Sequence, residues 1–301
     1  MDIIGKKNYY FVLSLVILIP GLVALILWGL NLSIDFTGGS RLTLAFKDEV
    51  SEKTIQGVRK NLESQNIETY VLEKSDNLIF VRTSPISEDQ DNKLISSLTK
   101  SLKDIQQKEF ETIGPTIGKE TTLNALKAVV IASILIVFYI AWSFRHVPKP
   151  ASSIRFGVCA IVALIHDALV VVGIFAILGH FFGVEIDSLF VTAILTIIGF
   201  SVHDTIVVFD RIRENLRKMS DLTFSEVVNK SIIETLVRSL NTSLTVVLVL
   251  VSLLLFGGES IRWFVVALLI GIISGTYSSI FNASPFLVLW HELRSKKKNK
   301  I

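Results

Sequence analysis

Five ionisable side chains in this sequence fall within or at the edge of long apolar runs: His166 and Asp167, His203 and Asp204, and Arg238. The runs are about 20 residues each, the length needed to cross about 30 Å of hydrocarbon. An ionisable group inside such a span costs about 2.5–3.5 kcal/mol on insertion scales, so each requires a reason. The chemistry open to them is ion binding and proton transfer. A carboxylate beside a cation stays ionised, and the same carboxylate unpaired and desolvated takes up a proton. Asp204 precedes Asp210 and Arg211, which mark the end of its run, by six and seven residues. At the helical rise that sets it roughly 10 Å below the interface. Arg238 follows Ile232–Val237 and enters to a similar depth from the same side, which allows the two to meet as an ion pair. Asp167 lies midway along its run. His203 reads either as part of the same proton path or as a hydrogen-bonded packing residue, and His166 is the weaker of the candidates.

Small and hydroxyl residues recur around these charges at helical spacing. Ser188, Thr192, Thr196, Gly199 and His203 share one helix face, as do Arg238, Thr242, Thr245 and Ser252. Gly271, Gly275 and Ser279 form a small-xxx-small row with Ser274, Ser278 and Asn282 beside it. Small residues so spaced let helices approach closely, which accounts for the glycines. Together with Asp204 and Arg238 the rows predict a polar, partly hydrated seam through three helices.

The elements that must hold these residues are membrane helices. The 301 residues are 50% hydrophobic and 19% charged, with mean hydropathy +0.58. Six apolar blocks stand out, about 11–30, 123–143, 156–178, 188–209, 236–256 and 263–287. The first, after Lys6 and Lys7, is too long for a signal sequence and lacks a cleavage site, so it reads as an uncleaved helix, bent at Pro20–Gly21. The single cysteine, Cys159, excludes an intrachain disulfide and reads as a packing residue. The net charge of +3 says little, because such a protein places its charges by side. Segments 1–10, 144–155, 210–235 and 288–301 hold 15 Lys and Arg, whereas 179–187 and 257–262 hold Arg262 alone. That bias puts both termini in the cytoplasm. The expected organisation is 1–30, cytoplasmic N-terminus and first span; 31–122, an extracytoplasmic domain; 123–287, five further spans; and 288–301, a basic cytoplasmic tail that acts as an anchor or meets anionic lipid.

Within 31–122, Arg41–Phe46 alternates with period two, as a half-buried strand does. Val50–Gln65 fits a helix capped by Ser51, and Ile67–Leu72 and Leu78–Val81 read as strands around Ser75, Asp76 and Asn77. A second helix starts at Ser87, and Glu109–Ile113 closes as a strand. The order β-α-β-β-α-β is ferredoxin-like and leaves one sheet face open as a contact surface. No metal-ligand or nucleophile cluster occurs there, and neither a metal nor a cofactor is expected.

Five segments are recognisable. Asp35, Phe36, Thr37, Gly38 and Gly39 follow the first block, and Gly114 and Pro115 begin the stretch Gly114–Glu120 before the second. Gly199–Glu214, Arg238–Ser243 and Gly275–Ile280 lie in the last three spans. In this order they resemble the SecD/SecF family of protein-export subunits, on its SecF side. The resemblance implies a six-helix half of an RND-type transporter, with SecD supplying the other half. It implies use of a proton or sodium gradient to help unfolded preproteins leave the SecYEG channel at the bacterial inner membrane, with YajC and YidC as further partners. The family's relay aspartate and arginine fall on Asp204 and Arg238; His203 stands where the family commonly has Asn. The glycines at Gly38–Gly39 and Gly114–Pro115 read as plain turns or as hinges for the outer domain, with Asp35 bracing the junction as a cap.

Three other readings compete. A non-catalytic assembly subunit would use the buried charges only to orient helices. Half of a small-molecule RND exporter is the alternative transporter, though that class usually has both halves in one long chain. An intramembrane enzyme is disfavoured: neither aspartate has an aspartic-protease context, and Gly114–Lys119 lacks the form of a phosphate loop. Nothing points to nucleic acid.

Overall fold

A computed structural model describes residues 1–298 apart from 103, 146, 149 and 150, without the side chains of 296–298. Of the basic residues counted for orientation, Lys149 and Lys300 therefore lie outside the described residues. Two compact units form, Met1–Asn31 with Lys127–Ile301, and Leu32–Leu126.

The chain opens with α1 (Lys7–Trp28), which runs unbroken through Pro20 and stops at Gly29, where φ is +70°. In the α/β unit a short helix, α2 (Ile34–Thr37), leads into β1 (Gly39–Phe46). Then come α3 (Glu52–Ser64), β2 (Thr69–Ser75), β3 (Leu78–Thr83), α4 (Glu88–Ser101) and β4 (Ile105–Ile113). The sheet order is β2-β3-β1-β4 with every pair antiparallel, the ferredoxin-like arrangement. Local chemistry accounts for each element. Ser51 caps α3, and Ser87 caps α4 through a capping box with Gln90. Asp76, at φ +49°, and Asn77 make the two-residue hairpin that registers Ser75 against Leu78. Leu42, Leu44, Ile79 and Val81 alternate inward and meet Val58 and Leu62 of α3 and Leu94 and Leu98 of α4. The other sheet face carries polar cross-strand neighbours, among them the Arg41–Glu111 ion pair at 2.7 Å.

The remaining helices are α5 (Pro115–Ser143), α6 (Ser153–Phe182), α7 (Ser188–Lys218), α8 (Phe224–Phe256), α9 (Arg262–Ser278) and α10 (Ser284–Lys298). A 3₁₀ turn, Glu259–Ile261, precedes α9, and a π-helical segment, Ser279–Ala283, joins α9 to α10. With α9 to α10 taken as one span, six helices are long and apolar enough to cross a membrane, including α1. The last is thus not the regular helix that its hydropathy suggests. The wide turn falls just before Pro285, whose ring displaces the carbonyl of a preceding regular turn.

Hydrophobic burial does not drive helices together in lipid, so close packing must. Gly21 and Gly173 put α1 and α6 in backbone contact: a Cβ built on Gly21 would lie 2.9 Å from the Gly173 Cα. At α9 a Cβ on Gly271 would lie 2.3 Å from the Ile197 side chain, and one on Gly275 3.1 Å from the Ser201 Cβ. Helix α9 is therefore the centre of the bundle, touching α6, α7 and α8. By contrast α5 is almost wholly exposed: it buries Gly118 near its start and Ile140 near its end, and just past it Phe144 packs on Phe156 and Phe209.

Candidate functional site

Two aspartates are buried among these helices, Asp167 at 1% exposure and Asp204 at 2%. Both owe their place to α9, whose small residues bring α7 near enough for side chains to meet across it.

Asp167, on α6, is caged. Its Oδ2 accepts from the Ser201 and Ser278 hydroxyls, each at 2.6 Å, and its Oδ1 from Ser274 at 2.8 Å. The His166 Nδ1 lies 3.0 Å from the same Oδ1. Ser274 and Ser278 are one turn apart on α9, while Ser201 comes from α7, so three helices converge on one carboxylate. Hydrogen bonds to a charged acceptor are worth about 1.5–3 kcal/mol each, enough for several to offset the cost of burying the group.

Asp204, on α7, is held more loosely. Among the described residues its hydroxyl partners are Ser243 on α8, at 3.5 Å, the outer limit for such a bond, and Thr276 on α9. Ser243 in turn meets Thr276 on α9 at 2.5 Å. One turn away Thr205 and Ser279 are 2.8 Å apart, and Ser279 also donates to the Ser201 carbonyl at 3.3 Å. The row Gly271, Gly275 and Ser279 thus runs along Ile197, Ser201 and Thr205, four residues per step on each helix.

The expected Asp204–Arg238 ion pair is not formed. Arg238 is exposed, and among the described residues its side chain has neither ion pair nor hydrogen bond. Helical phase is the reason. Ser231, Thr235, Ser239 and Ser243 repeat every four residues and form the buried row of α8; Arg238 is about 100° off that row. The rows that the sequence marked on α7 and α8 also face outward, while the α9 row is buried. Ser188, Thr192, Thr196, Gly199 and His203 on α7 are exposed, as are Thr242, Thr245 and Ser252 on α8. The hydrated seam predicted from the α7 and α8 rows is accordingly corrected: the buried hydroxyls there are Ser201, Thr205, Ser239, Ser243, Thr276, Ser278 and Ser279. The four-residue repeat of α8 hydroxyls was a usable signal for part of it. The convergence of Ser201, Ser274 and Ser278 on Asp167 left no trace in spacing.

Within the α/β unit the two glycine-bearing segments meet. Gly38 has φ +72° and Gly39 φ +127°. A Cβ on Gly38 would lie 3.0 Å from the Pro115 Cα, one on Gly39 2.7 Å from the Thr83 carbonyl oxygen, and one on Gly118 2.8 Å from the Gly38 nitrogen. Thr122 donates to the Phe36 carbonyl at 3.3 Å, and Arg82 contacts both the Leu32 carbonyl and the Thr37 hydroxyl. Gly114, in contrast, has open space around it. The cap of α2 is Ser33, which accepts from the Asp35 N–H, and so the capping expected of Asp35 falls to its neighbour.

Two family models match the sequence. "Protein export membrane protein SecD/SecF, C-terminal" covers residues 93–293, and the "SecD/SecF GG Motif" covers 29–50. The protein translocase subunit SecF of Thermobaculum terrenum is 47% identical over 96% of this chain and 94% of its own length. That of Anaerolinea thermophila is 43% identical, with the same coverage. The SecDF subunit of Bacillus subtilis is 37% identical over 98% of this chain, which spans 39% of that longer protein. Among solved structures, SecDF of Thermus thermophilus, a translocon-associated membrane protein, superposes with a TM-score of 0.82 at 35% identity. It matches 96% of this chain, which spans 38% of the SecDF chain.

Proposed function

The chain belongs to the SecD/SecF family of protein-export membrane proteins, and we propose that it is a SecF-type subunit of the Sec translocase, coupling ion movement to late steps of protein export. Its membrane helices carry buried carboxylates, and that is the observation that carries the coupling. A buried carboxylate with hydroxyl partners but no cation paired to it among the described residues, as at Asp204, is poised to exchange its charge when a counter-ion or proton arrives. Asp204 is the relay carboxylate. Arg238 and His203 stand on the outward faces of the neighbouring helices, and Asp167 forms a second buried acidic centre.

The partner is a SecD-type subunit. Polar rows facing lipid are costly, and a second half covering α7 and α8 would bury Arg238, His203 and the threonines beside them. In the SecDF relatives a longer chain carries the SecF-like part as well as more than half its length besides. The basic bias of the connecting segments supports a cell-membrane protein with both termini cytoplasmic and the α/β unit outside, where it meets emerging, unfolded preprotein. SecYEG is the channel served; YajC and YidC are further candidates for the same assembly. The reading is of a coupling subunit and not an enzyme.

The test is Asp204→Asn in cells lacking the native gene. Accumulated precursor of a secreted protein, with membrane level and partner co-purification intact, is expected. Normal export would refute ion coupling at Asp204 and leave an assembly role.

A further inference from the structure

A groove of about 270 Å³ runs between α1, α6 and the segment that leads from the π-helical turn into α10. Leu15 and Leu18 of α1, Cys159 and Val162 of α6, and Phe286 and Leu289 of α10 line it. The Asn282 Nδ2 donates to the Ser14 hydroxyl at 2.6 Å, a bond made within the wall, and the surface left to the groove is apolar. One side is open, where Leu15 is 50% exposed and Val162 44%. Neither α7 nor α8, which the partner is proposed to cover, contributes to the lining. On membrane-spanning helices an open apolar side of this kind meets lipid chains.

One turn beyond the groove the charges begin. Lys7 precedes the lining residue Phe11 by four residues on α1, Arg155 precedes Cys159 by four on α6, and Glu292 follows Leu289 by three on α10. At these spacings each stands on the helix face that lines the groove. Lys7 pairs with Glu292 at 2.6 Å, bridging α1 to α10 there. Arg155 contacts His291 at 3.4 Å, and Arg294 lies near enough for the two guanidinium charges to repel. Arg294 is exposed and has no ion pair among the described residues. Two arginines held together call for an anion, and the oxygens of a phosphate match the guanidinium fork.

We propose that this groove is a binding site for an anionic phospholipid, with one acyl chain along the groove and the phosphate on Arg155 and Arg294. The depth agrees. Phe11 is four residues and Leu18 eleven residues inward of Lys7, which at the helical rise spans about 6 to 16 Å. One leaflet of the hydrocarbon is about 15 Å thick. On the orientation proposed above it is the cytoplasmic leaflet, whose surface is negatively charged. The chain supplies fit and the headgroup supplies choice. Lipid tails are as apolar as the groove walls, so moving a chain in from the bilayer gains little. Preference for one lipid must then come from charge, and basic pockets between membrane helices on this side hold anionic headgroups. The site rests on the membrane reading and not on ion coupling, which Asp204→Asn tests separately.

The test uses the full chain with its SecD-type partner in nanodiscs of equimolar phosphatidylglycerol and phosphatidylcholine. Two probes carry the same photo-reactive acyl chain, one on each of these lipids. The anionic probe is expected to label segments 11–18 and 159–166 about tenfold more than the zwitterionic one, whereas the two label α5 alike. Arg294→Gln, at an exposed position, should cut that preference by roughly fivefold, and Arg155→Gln added to it should abolish it. Val162→Trp fills the groove from its open side and should lower labelling of α1 by both probes. Equal labelling by the two probes would mean an ordinary lipid contact and would overturn the proposal. So would an unchanged preference in the arginine variants, or a groove that neither probe reaches because the partner covers it.

Discussion

At the scale of single residues, what separates the buried acids is how many donors each receives. Asp167 has three serine hydroxyls and a histidine within 3.0 Å, whereas Asp204 has the hydroxyls of Ser243, at 3.5 Å, and Thr276. A third acid, Asp91 in the α/β unit, gives a measurable pH effect. Burial raises its pKa, and the two 2.9 Å contacts from the Gln107 amide oppose this only in part. The native state then holds a proton that the unfolded chain releases, so stability is greatest below the ordinary aspartate range. It declines as pH rises from there through the raised native value. Hydrogen-exchange protection of the β1 amides should therefore weaken as pH rises above the ordinary aspartate range. Asp91→Asn should flatten that slope, and an unchanged slope would mean that the group is not responsible.

Elements are positioned here by what side chains omit. Where α1 crosses α6, each glycine faces the backbone of the other, and backbone cannot yield as a side-chain end can. Gly173→Val is expected to part the two helices and to lower unfolding stability by roughly 1–3 kcal/mol. Gly157→Ala on the same helix should be neutral, since its nearest neighbour, the Ile140 side chain, would be 3.9 Å away. Chemical denaturation in detergent compares the two, and equal effects would argue against the crossing. The Gly38–Gly39 and Pro115–Gly118 contacts follow the same logic. They are close and mutually dependent, as suits a fixed brace, and of the three glycines read as possible hinges only Gly114 has room around it.

At the scale of the whole molecule, the outward faces of α7 and α8 are the part that a single chain leaves unfinished. They carry His203, Arg238, Thr242 and Thr245, whereas α5 exposes Leu126, Ile131, Leu135 and Phe138. The first surface suits a protein partner and the second suits lipid. A photo-reactive residue in place of Thr242 should capture the SecD-type subunit, and one in place of Leu135 should not. Capture at Leu135 alone would place the partner on the other side.

Much of this was legible from residues alone. Six apolar blocks, the βαββαβ pattern, the cap residues Ser51 and Ser87 and the glycine rows of α9 all depend on composition and spacing along one element, which a sequence carries in full. The presence of Asp167 and Asp204 in membrane helices was equally plain. Their partners were not. Whether Asp204 meets Arg238 or Ser243 is decided by the rotation of α8 about its own axis, and rotation is set by packing between helices far apart in the chain. A polar row on a membrane helix reads the same whether it faces its own bundle or another subunit. Only the tertiary structure, in which α9 draws α6, α7 and α8 close, showed which hydroxyls reach the carboxylates and which faces remain for a partner.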